Sequence, residues 1–382
     1  MRIVAAIDSF KGSLSSVQAG MAVRDAALAM DPGARVTVCP LADGGEGTVE
    51  ALLHSRGGRR ITVTVTGPDQ RPVEAAYAIL DDGSTAVMEV AAAAGLTLLP
   101  AERRDPLKAT TRGVGEMIRD AVGRGCRRFI VGLGGSATND GGAGMLDALG
   151  YALLDRDGRP IPPGAEGLKM LHSLSAEGVM PQLADCTFRI ACDVTNPLCG
   201  ENGCSAVFAP QKGAAPETIA PMDAWLRHYA AIARRVSPRA AADCPGAGAA
   251  GGLGFAFLGF TNAVLESGIQ IVMEETRLEA QIRDADLVVT GEGRLDAQTA
   301  MGKAPAGVAG LAKKYGKRVI AFSGCAAEDA AVCNDCGIDA FFPIVQGITT
   351  LEEALKPDNA YRNLYRTACQ VFRLIRAYTA DC

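Results

Sequence analysis

Short β-branched runs that stop at a glycine-rich turn and give way to a helical period recur at both ends of this chain, and they restrict the folds open to it. Residues 2–7 read as a buried strand, and Ser13, Ser15 and Ser16 offer N-caps for a helix to about Met30, with Val17, Met21, Arg24 and Leu28 along one seam. A second strand, 35–41, is followed by Asp43-Gly44-Gly45-Glu46 and a helix over 48–54. The pattern returns as a helix at 110–122 and a strand at 128–131. It appears again as strands at 286–290, 318–322 and 340–344, with a helix at 304–314 and a closing helix at 351–378. Strands alternating with helices predict parallel βαβ units wound right-handedly.

The middle of the chain has another texture. Residues 60–66, 73–79 and 85–90 alternate apolar and polar, joined by turns at Gly67-Pro68-Asp69 and Asp81-Asp82-Gly83. That is the signature of an antiparallel meander with one wet face. Residues 151–154, followed by Asp157-Gly158, continue it. With 382 residues, two domains are the natural expectation. The reading is α/β: a doubly wound parallel sheet built from residues 1–59 and 281–382, and a mixed α/β domain inserted at 60–280. Residues 97–135 fit either half. The Ala/Gly-rich stretch at 239–252 is the one linker-like segment.

Composition removes several function classes. A net charge of −5, with Lys and Arg in runs no longer than a pair, argues against nucleic-acid or anionic-membrane surfaces. No segment approaches the roughly 18 apolar residues of a membrane span, and the N-terminus lacks a signal-peptide pattern, so a cytoplasmic protein is expected. The 12 cysteines are dispersed. Cys333-x-x-Cys336, with Cys325 upstream, invites a zinc or redox reading, but structural zinc wants four ligands, and the only other close pair is Cys199 and Cys204. These read as unpaired thiols packed as small hydrophobes. An oligomeric state is not encoded in any of these patterns.

Acids fall at strand ends, where open parallel sheets bind ligands. Asp8 follows the first strand, Asp43 the second, Asp193 follows 188–192 and Glu292 follows 287–290. Gathering these carboxylates in one place requires a counter-ion, and Mg²⁺ bridging phosphate oxygens is the obvious one. Gly132-Leu133-Gly134-Gly135-Ser136-Ala137-Thr138-Asn139-Asp140-Gly141-Gly142 follows a strand and precedes a helical period. Its glycines can bring amide N–H groups close to an anion, with Ser136, Thr138 and Asn139 as further donors. It is not the G-x-x-x-x-G-K-[ST] loop. Residues 246–252 formally match G-x-G-x-x-G, but the preceding residues, which include Pro238, make a poor strand. Lys11, Lys212 and Lys303 each stand beside a glycine, and Arg294 lies in Gly293-Arg294-Leu295-Asp296, together suggesting a phosphate clamp. None of the three histidines is near a glycine-rich loop, so any base should be a carboxylate.

These residues make the chain resemble the bacterial glycerate kinase family of glucarate/galactarate and glyoxylate catabolism along nearly its whole length. The resemblance rests on DSFKGSLSS (8–16), PLADGGEGT (40–48), GLGGSATNDGGAGM (132–145), CDVTNPLCGENG (192–203), FAPQKGA (208–214), PGAGAAGGLG (245–254) and TGEGRLDAQTAMGK (290–303). Cys204 and Ala209 depart from otherwise matching loops. The resemblance implies one flavodoxin-like domain and one likened to restriction endonucleases. It also implies ATP and Mg²⁺ as cosubstrate and cofactor, and D-glycerate as acceptor. The 2-hydroxyl is the expected phosphorylation site, with the 3-phosphate as the alternative. On chemical grounds, Asp193 is the first candidate to orient or deprotonate the acceptor hydroxyl, Asp43 the second, with Lys11 beside them. Asp8, Ser9, Arg294 and Asn196 are candidates for glycerate, and Lys11 or Arg294 for its carboxylate or the γ-phosphate. Gly134, Gly135, Ser136, Thr138, Asn139, Lys212 and Lys303 are candidates for the nucleotide, and Asp296 and Glu292 for the metal. An NAD(P)-dependent oxidoreductase and a non-catalytic binding protein are the rival readings.

Overall fold

The computed structural model describes residues 1–379. Among them are thirteen strands: β1 (Arg2–Ala5), β2 (Arg35–Val38), β3 (Gly58–Thr66), β4 (Pro72–Leu80), β5 (Thr85–Glu89), β6 (Arg128–Gly132), β7 (Ala152–Leu154), β8 (Ser173–Ser175), β9 (Thr187–Ala191), β10 (Ala263–Glu266), β11 (Leu287–Leu295), β12 (Arg318–Ala326) and β13 (Ala340–Pro343). By packing, the chain forms two compact units. One comprises residues 1–43, 50–56 and 269 onward; the other comprises 44–49 and 57–268, including the segment 97–135.

In the first unit the strands lie in the order β2-β1-β11-β12-β13, every neighbouring pair parallel. Alternation along each strand sorts the sheet into two faces. Ile3, Ala5, Ile7, Leu287, Val289, Ile320 and Phe322 share a core with Ala19, Ala22, Val23 and Ala26 of helix Ser16–Met30 and with Leu364 and Phe372 of helix Pro357–Thr379. The alternate positions Val4, Ala6, Val288 and Ala321 are equally buried. Toward the carboxyl ends of the strands that second face turns polar, with Asp8, Thr290, Glu292 and Ser323.

Helix Ser16–Met30 starts at Ser15, whose side chain and that of Gln18 cap each other reciprocally. Its buried face differs from the expected seam. Small residues, not Val17, Met21 and Leu28, meet the sheet, because the approach is close: a Cβ on Gly20 would stand 2.4 Å from Val38 Cγ1. The closing helix also differs, breaking into Leu351–Leu355 and Pro357–Thr379. Proline lacks an N–H and pushes its predecessor, Lys356, out of the helical region (φ −58°, ψ 125°).

The second unit holds a six-stranded sheet in the order β10-β9-β6-β5-β4-β3. β3, β4 and β5 form the expected antiparallel meander, while β5, β6, β9 and β10 run parallel. The wet face runs along β3 and the start of β4, where Pro72 and Glu74 are exposed. β5 is buried from Thr85 to Met88, because β6 pairs with it and helices cover it. β7 and β8 form a separate antiparallel pair. Phe129 and Phe188 stack at 4.7 Å in the core, beside Phe257. Strand and helix periodicity did not reach two helices here, Pro216–Val236 and Ala249–Phe260. The stretch expected to be linker-like leads into the second of these and is packed, not loose. Ala250, Gly251 and Gly252 are left-handed, and a Cβ on Gly251 would lie 2.0 Å from Thr138 O. Turns, not a strand, precede it, which removes the dinucleotide fingerprint.

Candidate active site

In the first unit, carboxylates collect at the carboxyl end of the parallel sheet. Asp8 lies just past β1, only 6% exposed, and its Oδ1 accepts the Ser9 N–H at 2.7 Å. Burial, with the neighbouring Asp43 and Glu292 carboxylates, pushes the Asp8 carboxyl up to about 7. Asp43 pairs with Lys11 at 3.3 Å and, together with Asp8 and Glu292, holds that ammonium above its ordinary range against the opposing effect of burial. Glu292 is not a strand tip. β11 continues through it, in register with Ser323 of β12, and burial raises its carboxyl above the usual range. The Thr299 hydroxyl donates to Glu292 Oε1 at 2.6 Å.

Asp296 has a structural task. It caps the short helix Ala297–Ala300, its Oδ1 accepting the Gln298 and Thr299 N–H groups at 3.0 and 3.2 Å. Arg294 and Lys303 stand 3.8 and 3.9 Å from its carboxylate, both with exposed side chains. Lys303 is in turn the N-cap residue of helix Ala304–Lys314.

In the second unit, the parallel strands also end in polar groups. The turn at Gly44-Gly45 crosses β6 and β9 so closely that a Cβ on Gly132 would lie 2.1 Å from Gly44 O, and one on Gly44 2.3 Å from the Ala191 Cβ. Glu89, at the end of β5, accepts the Val49 N–H at 2.9 Å and ties that turn down. Asp193, two residues beyond β9, is exposed, and its Oδ1 accepts the Gly268 N–H at 3.2 Å. Asn196 is half-buried, and its amide donates to Asn202 O at 2.8 Å, bracing its own loop.

The glycine-rich loop divides. Gly134 and Gly135 are exposed, whereas Ser136, Thr138, Asn139 and Asp140 are buried. Asp140 accepts the Thr111 N–H and hydroxyl, each at 2.9 Å, and the Gly142 and Gly144 N–H groups, so it organises the loop from inside. The Asn139 amide donates to Ser205 Oγ at 2.9 Å. Lys212 is only 2% exposed; its ammonium donates to Ser136 Oγ at 3.0 Å and to Thr138 O at 2.7 Å. Burial lowers it to about 8. Between pH 8 and 10.5, then, the unfolded chain binds more protons at this residue than the folded one, and its contribution to stability rises with pH. An anion bound at its ammonium weakens over the same range. The expected result is that unfolding free energy rises less, or falls more steeply, between pH 8 and 10.5 in Lys212→Met than in the wild type, as denaturant titrations would read.

The candidates therefore sort into two sets. Asp8, Ser9, Lys11, Asp43, Glu292, Arg294, Asp296 and Lys303 belong to the first unit; Gly134, Gly135, Ser136, Thr138, Asn139, Asp193, Asn196 and Lys212 to the second. Thr299, Glu89 and Asp140 escaped sequence reasoning as site residues. Thr299 had a readable signal, the capping spacing Asp296-x-x-Thr299. In the first unit, Thr290 and Ser323 carry buried hydroxyls for which no hydrogen-bond partner occurs among the described residues.

Comparison with known proteins gives a consistent picture. A model described as the glycerate kinase family matches residues 3–376. Glycerate 2-kinase of Escherichia coli K12 is 47% identical over 380 residues, spanning 100% of this chain and 98% of that protein. Glycerate kinase of Bacillus subtilis 168 is 46% identical over 376 residues, 98% of each. A crystal structure from Salmonella typhimurium LT2, assigned as glycerate kinase 2, superposes with a TM-score of 0.91 at 46% identity, covering 100% of this chain and 99% of that one.

Proposed function

The chain belongs to the glycerate kinase family, and on that premise we propose that it transfers the γ-phosphoryl group of ATP to the 2-hydroxyl of D-glycerate. The observation that carries the mechanism is the first unit's cluster of Asp8, Asp43 and Glu292 faced by Lys11. Carboxylates gathered in a partly buried place are stable as anions only beside cations, and phosphoryl transfer brings both kinds of group to one place. The choice of the 2-hydroxyl is supported by the name of the E. coli relative, glycerate 2-kinase; a 3-phosphate product is the alternative.

Mg²⁺ fits this donor set. Among the described residues no group of three or more His, Cys, Asp or Glu side chains is arranged to hold a metal. The proposal asks for only one or two carboxylates, since Mg²⁺ takes its remaining ligands from phosphates and water. Glu292 suits that role better than Asp296, whose Oδ1 is occupied by capping. When bound, Mg²⁺ would neutralise the phosphate charge. Lys11 and Arg294 are the proposed contacts of the glycerate carboxylate or γ-phosphate, with Asp8 and Ser9 beside them. In the second unit, Gly134, Gly135, Ser136 and Lys212 are the proposed nucleotide contacts. Thr138 and Asn139 support them from inside. Asp193 is the proposed carboxylate for the acceptor hydroxyl, ahead of Asp43, and Asn196 shapes its loop.

The same proposal covers architecture and location. The all-parallel order β2-β1-β11-β12-β13 supports a flavodoxin-like first domain, for it is the 2-1-3-4-5 order of that fold when counted within the unit. A separate core and a mixed sheet support an inserted domain of about residues 60–280, proposed to be restriction-endonuclease-like. None of the described helices is long and apolar enough to cross a membrane. A cytoplasmic location follows from the ATP the reaction would consume. The test is ADP release measured in a coupled assay. ADP should form only when D-glycerate, ATP and Mg²⁺ are all present. ATP consumption indifferent to D-glycerate would defeat the proposal, and hydride transfer with NAD(P) would replace it with the oxidoreductase.

A further inference from the structure

The Thr299 side chain is completely buried, and the fold dictates which way its hydroxyl points. Thr299 Oγ1 receives the Asp296 N–H at 3.2 Å and lies 2.6 Å from Glu292 Oε1. A hydroxyl has one proton to give. Thr299 Oγ1 gives that proton to the Glu292 carboxylate and takes the Asp296 backbone N–H on a lone pair. The turn that carries Thr299 is itself fixed. Asp296 and Thr299 cap each other reciprocally. The thiols of Cys333 and Cys336 reach Asp296 O and Ala300 O at 3.6 and 3.7 Å, gripping both ends of helix Ala297–Ala300. Glu292 is thus a carboxylate on a paired strand, oriented by a donor on a capped turn.

We infer that Thr299 is a positioning residue for the phosphoryl-transfer reaction, holding the Glu292 carboxylate in its productive orientation. This rests on the proposed reading of Glu292 as an active-site carboxylate. A carboxylate free to rotate about its side chain spends less time where a charged ligand needs it, and small misplacements of reacting groups are costly in rate.

A double-mutant cycle between Thr299 and Glu292 tests the inference. Thr299→Val, which keeps the shape and removes the hydroxyl, should lower kcat about 10- to 100-fold, as loss of an orienting partner does. KM for D-glycerate should change far less. Thr299→Ser keeps both hydrogen bonds and should recover most of the lost rate. In a Glu292→Gln background, Thr299→Val should cause no further loss, because its effect runs through the carboxylate. Where Glu292→Gln turnover falls below detection, the cycle is read in the calorimetric affinity for ADP with Mg²⁺. Thermal unfolding checks folding, and Thr299→Ala takes the place of a valine variant that fails to fold. Losses that multiply independently in the cycle, or wild-type kcat in a folded Thr299→Val protein, overturn the inference. Wild-type kcat in Glu292→Gln overturns instead the reading of Glu292 on which it rests.

Discussion

Asp193→Asn should lower kcat with D-glycerate by roughly 10²- to 10⁴-fold, the range that a positioned acid–base group contributes, while the protein remains folded. Asp193 follows β9, which pairs in parallel with β6 and β10. Its side chain is exposed at the end of the sheet where ligands of such folds bind. Its defined hydrogen bond accepts the Gly268 N–H, and an asparagine oxygen can accept the same bond. The substitution therefore removes charge and basicity but leaves the loop anchored. Steady-state kinetics, with thermal unfolding as the control, provide the check. Near-normal kcat would remove Asp193 from the chemistry and leave Asp43 as the candidate.

Lys212→Met should reduce kcat/KM for ATP by about 10²- to 10³-fold, comparable to loss of one preorganised electrostatic donor. Its effect on stability should be small. Burial holds the ammonium near 8 in place of 10.5, a penalty of about 3 kcal/mol at neutral pH. Methionine relieves that penalty but leaves Thr138 O without its ammonium donor, a loss of about 1–3 kcal/mol. These effects oppose each other. Denaturant unfolding should then place the variant within about 2 kcal/mol of the wild type. If unfolding free energy fell sharply while kcat/KM for ATP in the folded fraction stayed normal, Lys212 would be a structural cation alone.

The sequence made the alternation of elements legible, and with it the acids that follow β1, β2 and β9, because a buried strand followed by a turn is a local pattern. Glu292 was found but misplaced. Gly291 and Gly293 look like turn residues, yet both lie within β11, and the missing side chain of Gly291 serves close strand pairing. A Cβ on Gly291 would lie 2.2 Å from Phe322 O, and β12 runs alongside well past Glu292. Thr138 and Asn139 have the composition of phosphate donors. Their burial follows from the left-handed turn at 250–252, more than 100 positions along the chain, which no local pattern announces. Helix Ser16–Met30 carries the same lesson, since the closeness of a neighbouring strand decided which of its faces went inside.

Phosphorus NMR of the reaction mixture tests the proposed chemistry most directly. With D-glycerate, ATP and Mg²⁺, the γ-phosphate signal should give way to ADP and a phosphomonoester whose resonance is a doublet, split by the single proton on C2. A triplet, from the two protons on C3, would contradict transfer to the 2-hydroxyl. ATP resonances that persist unchanged in the presence of D-glycerate would contradict the kinase itself.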